Sequence, residues 1–258
     1  MTFSAAILKP RLRNSDPYAA NVVSLKHAND ADGTNNPSDM VAGVTWTPNT
    51  SATYGRVVYT KTLVAGGSYR CTSDGGSSGP TGGVYSAMVS QFASNTSSTY
   101  EVTLAVQATT KVSLLGGTVR GNTNVDWHLV FNRGFSYLGG LDFAVTSADG
   151  SSYTYTSLGF TPVAGVPFKF RVSSVYSSGS GLQTHYVFID GVLKATVVNP
   201  TARHSTGRAF IGDCFIEPQG SPASKLSQEF YWDEFRFTKD IARSTTNYTP
   251  DSGEFLNP

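Results

Sequence analysis

Short segments in which apolar and polar residues alternate follow one another along almost the whole chain, and no stretch longer than a turn has the spacing of a helix, "DIARS" (240–244) being the one short candidate. The clearest are TYEVTLAVQA (99–108), KVSLLGGTVR (111–120), DWHLVFNR (126–133), GLDFAVTS (140–147), YTYTSLGF (153–160) and PFKFRVSSVYS (167–177). They continue with THYVFIDGVLKATVV (184–198), RAFIGDCFI (208–216) and EFYWDEFRFT (229–238), and shorter pieces such as NVVSLKHA (21–28) and GVTWT (43–47) precede them. A period of two sends successive side chains to opposite faces of a strand, one toward a core and one toward water. About thirteen such strands at the spacing typical of sandwiches predict an all-β chain, a two-sheet antiparallel jelly roll. Two hairpins are marked by turn chemistry. Asp190-Gly191 supplies the two positive-φ positions of a type I′ turn, and Asp149-Gly150 does similar work in a longer loop.

Composition enters here as support. The 26 Gly, 13 Tyr and 15 Phe suit many strands joined by tight turns, and 258 residues fit one sandwich domain. The domain reading is an N-terminal arm, 1–16, and a sandwich, 17–258. Pro10 and Asp16-Pro17 break the arm, and Lys9, Arg11 and Arg13 keep it solvated. It reads either as a disordered terminus or as a segment that docks on a partner.

The charge pattern narrows function. A net charge of +1 with no run of basic residues argues against nucleic acid. No apolar stretch is long enough to predict a membrane span. The start, MTFSAAILKPRLRN, lacks the order of a signal peptide, so folding is expected to begin in a cytoplasm. Cys71 and Cys214 match no metal or redox spacing and read as buried thiols, although a pair stays open. The four histidines are scattered and form no nucleophile motif.

Three groups of candidate residues stand out. Asp30, Asp32 and Asp39 lie in NDADGTNNPSD (29–39), a loop that could ligate calcium; the EF-hand order fails, and local Asp/Asn turns are the alternative. No other cofactor is implied. Aromatics in polar surroundings are Trp46, Tyr54, Tyr85, Tyr137 and Tyr153; Trp46, Asn49 and Tyr54 are the first choice for a glycan site. Lastly, EFYWDEFRFTKDIARSTTNY (229–248) carries Glu229, Asp233 and Glu234.

That last run could belong to a glycan-cleaving strand. Retaining glycosidases hold two carboxyl groups ~5–5.5 Å apart. On a regular strand Glu229 and Asp233 share a face but lie ~13 Å apart, and Tyr231 stands between them. Asp233 and Glu234 face opposite ways. No catalysis is therefore expected. With that parity Tyr231, Phe235 and Phe237 suit the core, while Trp232 and Arg236 take the other face. Asp233, Glu234 and Arg243 are expected to act as loop and tail anchors, since a buried carboxylate must be hydrogen-bonded or paired.

HYVFIDGVLKATV (185–197), FIGDC (210–214) and FYWDEFRFTKDIARSTTNYTP (230–250) resemble the C-terminal half of laminin-G-like, concanavalin A-like jelly rolls, and FTKDIARSTTNYTP is similar to the ending found in tailed-phage virion proteins. DPYAANVVSLKHA (16–28) resembles the opening of those phage domains; Lys26, the polar run 29–39 and Ser244 depart from the pattern. The resemblance implies a curved two-sheet sandwich in a virion, made in the host cytoplasm, as a head-decoration, tail-associated or fibre-type protein. Its implied partners are other virion proteins, reached through the arm, and host-surface glycans; a free carbohydrate-binding lectin is the alternative. Monomer and homo-oligomer are both compatible with it.

Overall fold

The structure is a computed structural model and describes residues 16–255 except 42, 49–54, 73–81, 88, 108–111, 121–123, 132–139, 148–151, 201–205 and 213–228. Asn49, Tyr54, Tyr137, Cys214, the Asp149-Gly150 turn and the arm before Asp16 thus lie outside the described residues.

Fifteen strands are described: β1 (Val22–Lys26), β2 (Trp46–Pro48), β3 (Gly55–Val58), β4 (Ser68–Thr72), β5 (Gly83–Ser86), β6 (Ser98–Val106), β7 (Val112–Arg120), β8 (Asn124–Phe131), β9 (Leu141–Thr146), β10 (Tyr153–Ser157), β11 (Phe168–Ser177), β12 (Leu182–Ile189), β13 (Val192–Asn199), β14 (Ala209–Gly212) and β15 (Glu229–Lys239). They form two antiparallel sheets. The larger has the order β13-β12-β11-β6-β15-β4-β3, with β1 also on β15; the smaller runs β10-β9-β8-β7-β14-β5-β2. The fold is an all-β jelly-roll sandwich. In the Asp190-Gly191 turn both residues have positive φ, 49° and 79°, as the tight link between β12 and β13 requires.

The core lies between the sheets. Inward residues of β6 (Tyr100, Val102, Leu104), β15 (Phe230, Trp232, Phe235, Phe237) and β8 (Trp127, Leu129, Phe131) meet there. Tyr100 and Phe237 ring centroids are 4.4 Å apart and Phe92 is 4.6 Å from Phe237. Each such ring contributes about 1.5–3 kcal/mol through the apolar area it removes from water.

β15 departs from regular parity, and this corrects the sequence reading. Its residues pair with β6 on both sides of a β-bulge between Asp233 and Arg236, where Glu234 has φ 56°. Two residues of β15 stand opposite one of β6, so the side-chain alternation slips by one. Phe230 and Trp232 point into the core before the bulge, and Phe235 and Phe237 after it. Tyr231, expected in the core, lies on the outer face with Val58 and Ala105. Trp232, expected outside, is fully buried. The bulge also marks a change of neighbour: β15 pairs with β4 over Glu229–Trp232 and with β1 from Phe235 onward.

The tail after β15 covers the outer face of the larger sheet over β6 and β11. The segment 240–244 is irregular, not helical, because Thr99 on β6 takes its backbone: the Thr99 hydroxyl donates to the Ile241 carbonyl (2.8 Å) and accepts from Arg243 N–H (2.9 Å). The tail then reaches the β12–β13 turn, where Tyr248 N–H donates to Gly191 O (2.9 Å). It returns to the bulge, where Phe255 N–H donates to Glu234 (2.5 Å). Every residue of β6 is consequently buried, although its outward side chains include Glu101, Thr99 and Thr103.

Candidate functional site

The sequence singled out nine site residues; seven of them lie among the described residues, where Trp46 and Asp39 meet, Asp233 and Glu234 share the β15 bulge, and Arg243 lies in the tail that follows. Trp46 is not a surface platform: it is 5% exposed, packs edge-on against Phe235 at 5.3 Å, and its indole N–H donates to Asp39 (3.0 Å). It looked available because its sequence neighbours are polar, but strand alternation turns it inward.

Of the calcium candidates, Asp39 and Asp30 are taken up by local hydrogen bonds. Asp39 spends Oδ1 on the N–H groups of Leu25 and Val41 (both 3.0 Å) and Oδ2 on Ser24 Oγ (2.5 Å) and Trp46. Asp30 accepts from Ser38 N (2.8 Å) and Ser38 Oγ (2.7 Å), and Asp32 is exposed. A cation already occupies this loop. Lys26 is buried beneath it, its ammonium donating to Pro37 O, and burial pulls its pKa down to about 8 against the fields of Asp39 and Asp30. Among the described residues no group of three or more His, Cys, Asp or Glu is placed to hold a metal.

Asp233 and Glu234 sit in the β15 bulge. Asp233 Oδ1 accepts from Ala28 N–H (3.1 Å) and Glu234 N–H (2.8 Å), which ties the segment after β1 to the bulge. Glu234 meets His27 Nδ1 (2.5 Å) and the tail at Phe255. Both carboxylates are at most 1% exposed, and Glu229 is paired with Arg70 (3.3 Å) and accepts from the Tyr231 hydroxyl (2.5 Å). The three acids therefore serve backbone, histidine and arginine, and none faces another across a cleft.

Arg243 belongs to a buried ion cluster on the outer face of the larger sheet. Glu101 accepts from Arg171 and, at 2.7 Å, from Arg236. Asp16 accepts a two-pronged bond from Arg243 (2.9 and 2.7 Å) and one from Arg236 (3.1 Å). Asp16, assigned by sequence to the arm, is held by the sandwich. Each guanidinium also lies over a ring: Arg171 over Tyr248, Arg236 over Phe255 and Arg243 over Tyr18. This cluster fastens chain segments together.

The opposite side of the molecule differs. Registers across the smaller sheet align one residue from each strand: Tyr155, Ala144, His128, Gly116, Phe210, Tyr85 and Thr47, on β10, β9, β8, β7, β14, β5 and β2. Directly paired residues share a face, and the core residues alternate with these, so the row lies on the outer face. Ala144 separates Tyr155 from His128 and Gly116 separates His128 from Phe210, while Phe210 and Tyr85 stand side by side. A side chain at Gly116 would place a Cβ 2.2 Å from Phe210 Cζ, so glycine there lets Phe210 lie flat across β7.

The row is most buried in its middle, at His128 and Phe210, and is half-buried or exposed toward both ends. At the β10 end His128 stacks on Tyr153 (4.6 Å, 24°) and lies 5.9 Å from Tyr155, with Tyr153 and Tyr155 6.3 Å apart. Burial pushes the His128 pKa down to about 3, so the ring is neutral and stacks as an aromatic. Asp142, opposite Ser157 on the same face, puts a half-buried carboxylate beside these rings. At the β5 end Arg208 lies 5.5 Å over Tyr85.

Comparison with solved structures finds the same sandwich. The binding domain of botulinum neurotoxin serotype D superposes with a TM-score of 0.54 at 10% identity, over 91% of this chain and 50% of that one. A botulinum neurotoxin type C structure, whose cell entry depends on two ganglioside molecules, gives 0.53 at 12% identity over 90% and 49%. The serotype D ligand binding domain in complex with N-acetylneuraminic acid gives 0.53 at 9% over 90% and 49%. The chain spans about half the length of these structures, and the likeness shows the fold. No family model and no curated protein matches the chain.

Proposed function

We propose that the chain is a non-catalytic carbohydrate-binding sandwich whose ligand face is the outer side of the smaller sheet, centred on Tyr153, Tyr155 and His128. One observation carries this reading: three rings from β8 and β10 meet within 6.3 Å across the intervening β9 of a fixed sheet, with Asp142 of β9 on the same face. Sugar rings present apolar C–H faces that pack on aromatics, while carboxylates and hydroxyls accept from their hydroxyl groups. The strands hold the rings in place before the ligand arrives, so little ordering entropy is lost on binding. Solved structures of this fold that bind gangliosides or N-acetylneuraminic acid support the ligand class, and one in complex with rat synaptotagmin II shows the fold also serving a protein partner.

The test is a glycan array followed by calorimetric titration of each hit. Tyr153→Ala and Tyr155→Ala are expected to weaken binding by roughly tenfold or more each, about 1.4 kcal/mol or above, with thermal unfolding little changed because both rings are half-buried. Wild-type protein that binds no glycan, or that releases reducing ends from one, overturns the reading.

The likeness of residues 230–250 to phage virion domains supports a virion setting, and one structural observation favours it. Arg236 and Arg243 hold Asp16 on the outer face of the larger sheet, away from the aromatic row. A segment before Asp16 docked on other virion proteins therefore leaves the ligand face turned toward a host surface. Removing residues 1–15 is expected to abolish co-purification with particles while leaving glycan titrations unchanged; retention on particles sinks the docking role.

A further inference from the structure

Among the described residues four guanidinium groups lie over aromatic rings: Arg171, Arg208, Arg236 and Arg243. Three of them also meet a protein carboxylate, Glu101 or Asp16. Arg208 does not. Its guanidinium is steered by Tyr85, and its Nε is buried and bonded to nothing. A buried guanidinium donor without an acceptor is unfavourable, and a planar two-pronged anion is the acceptor that fits it best.

We infer that Arg208 and Tyr85 form a subsite for the carboxylate of an acidic sugar, at the β5 end of the aromatic row. The position supports a sugar in particular. Arg208 precedes β14 two residues before Phe210 and so shares its outward face. Tyr85 is half-buried and offers ring surface, and exposed Thr47, its register partner, supplies a hydroxyl beside it. A carboxylate on Arg208 thus has an aromatic platform and a hydrogen-bonding group within one strand spacing, about 4.8 Å. A uronic or sialic-type residue carries a carboxylate, an apolar ring face and hydroxyls in one unit. This subsite rests on the reading of the sheet as a glycan face, but it uses different residues from the Tyr153–Tyr155–His128 cluster.

The experiment titrates the full chain with 3′-sialyllactose, its carboxyl-reduced form, a glucuronic-acid-terminated oligosaccharide, lactose, and a glutamate-rich peptide. At least one acidic saccharide is expected to bind more tightly than its neutral counterpart. Arg208→Gln is expected to lower that affinity about ten- to hundredfold and erase the preference. Arg208→Lys, which keeps the charge without the fork, is expected to fall between and guards against a folding defect in the first variant. Equal binding of sialyllactose and its reduced form overturns the subsite, and so does an unchanged Arg208→Gln titration. A glutamate peptide that binds as tightly as the saccharide overturns it in favour of a protein partner. Loss of binding in the Tyr153 and Tyr155 variants with no effect at Arg208 leaves the glycan face standing and removes only this subsite. Failure of every saccharide removes both.

Discussion

Replacing Glu101 with alanine is expected to lower the free energy of unfolding by about 3–5 kcal/mol, read from urea denaturation at neutral pH. Glu101 is 3% exposed and is the acceptor for Arg171 and Arg236, with Arg243 3.5 Å away. Its removal leaves guanidinium groups buried without their anion, which is far more unfavourable than losing an exposed pair. Arg171 and Arg236 also orient Tyr248 and Phe255, so the tail is expected to loosen with them. Limited proteolysis should then cut between residues 244 and 255 before the sheets unfold. A loss below 1 kcal/mol would mean that water replaces the carboxylate and that the cluster is not dry.

Asp233→Asn is expected to stabilise the protein at pH 8, by an amount on the order of 2 kcal/mol, to do so by less at pH 5, and to change little below pH 3.8. Burial, and then the neighbouring Glu234, push the Asp233 pKa up to about 7, and Asp233 Oδ2 is buried with no hydrogen bond. A raised folded-state pKa gives stability that is complete below the ordinary aspartate value of 3.8 and is lost as pH rises through about 7. Asparagine keeps the Oδ1 acceptor for Ala28 and Glu234 N–H and carries no charge at any pH. The ion cluster acts in the opposite sense. Burial works against the Glu101 and Asp16 carboxylates, but the arginines outweigh it and hold both pKa values below normal. Their stability is present above the usual carboxylate range and lost as pH falls through the lowered values. Wild-type stability should therefore peak in mildly acidic solution, and the variant should flatten only the alkaline limb. An alkaline limb unchanged by the substitution would show that Asp233 is ionised and solvated in the native state.

The fold was legible because its signals are local. Alternation placed most strands, and Asp190-Gly191 dictated its hairpin. The bulge in β15 was not legible: it requires Glu234 at positive φ, a conformation its sequence does not advertise, and one slipped residue exchanged the places of Tyr231 and Trp232. The aromatic row was hidden for a different reason. Tyr85, His128, Tyr155 and Phe210 are far apart in sequence and align only through the order β10-β9-β8-β7-β14-β5. One local trace was available. The Gly116-Gly117 pair inside an alternating strand marks rings lying close against the backbone, and Phe210 and Trp127 take those two places. Trp46 was misjudged because polar neighbours along the chain say little about which face of a strand a residue takes.

The grip of Arg243 and Arg236 on Asp16, together with the return of the tail to Glu234, closes the polypeptide into a ring fastened by side chains. If the molecule is pulled by its two extremities, tension passes first through these charged clasps and the tail, on one side of the body. The strands that carry the aromatic row sit off that line of force. A sandwich strung this way takes mechanical strain at its charged clasps while the geometry of its far face stays unstressed.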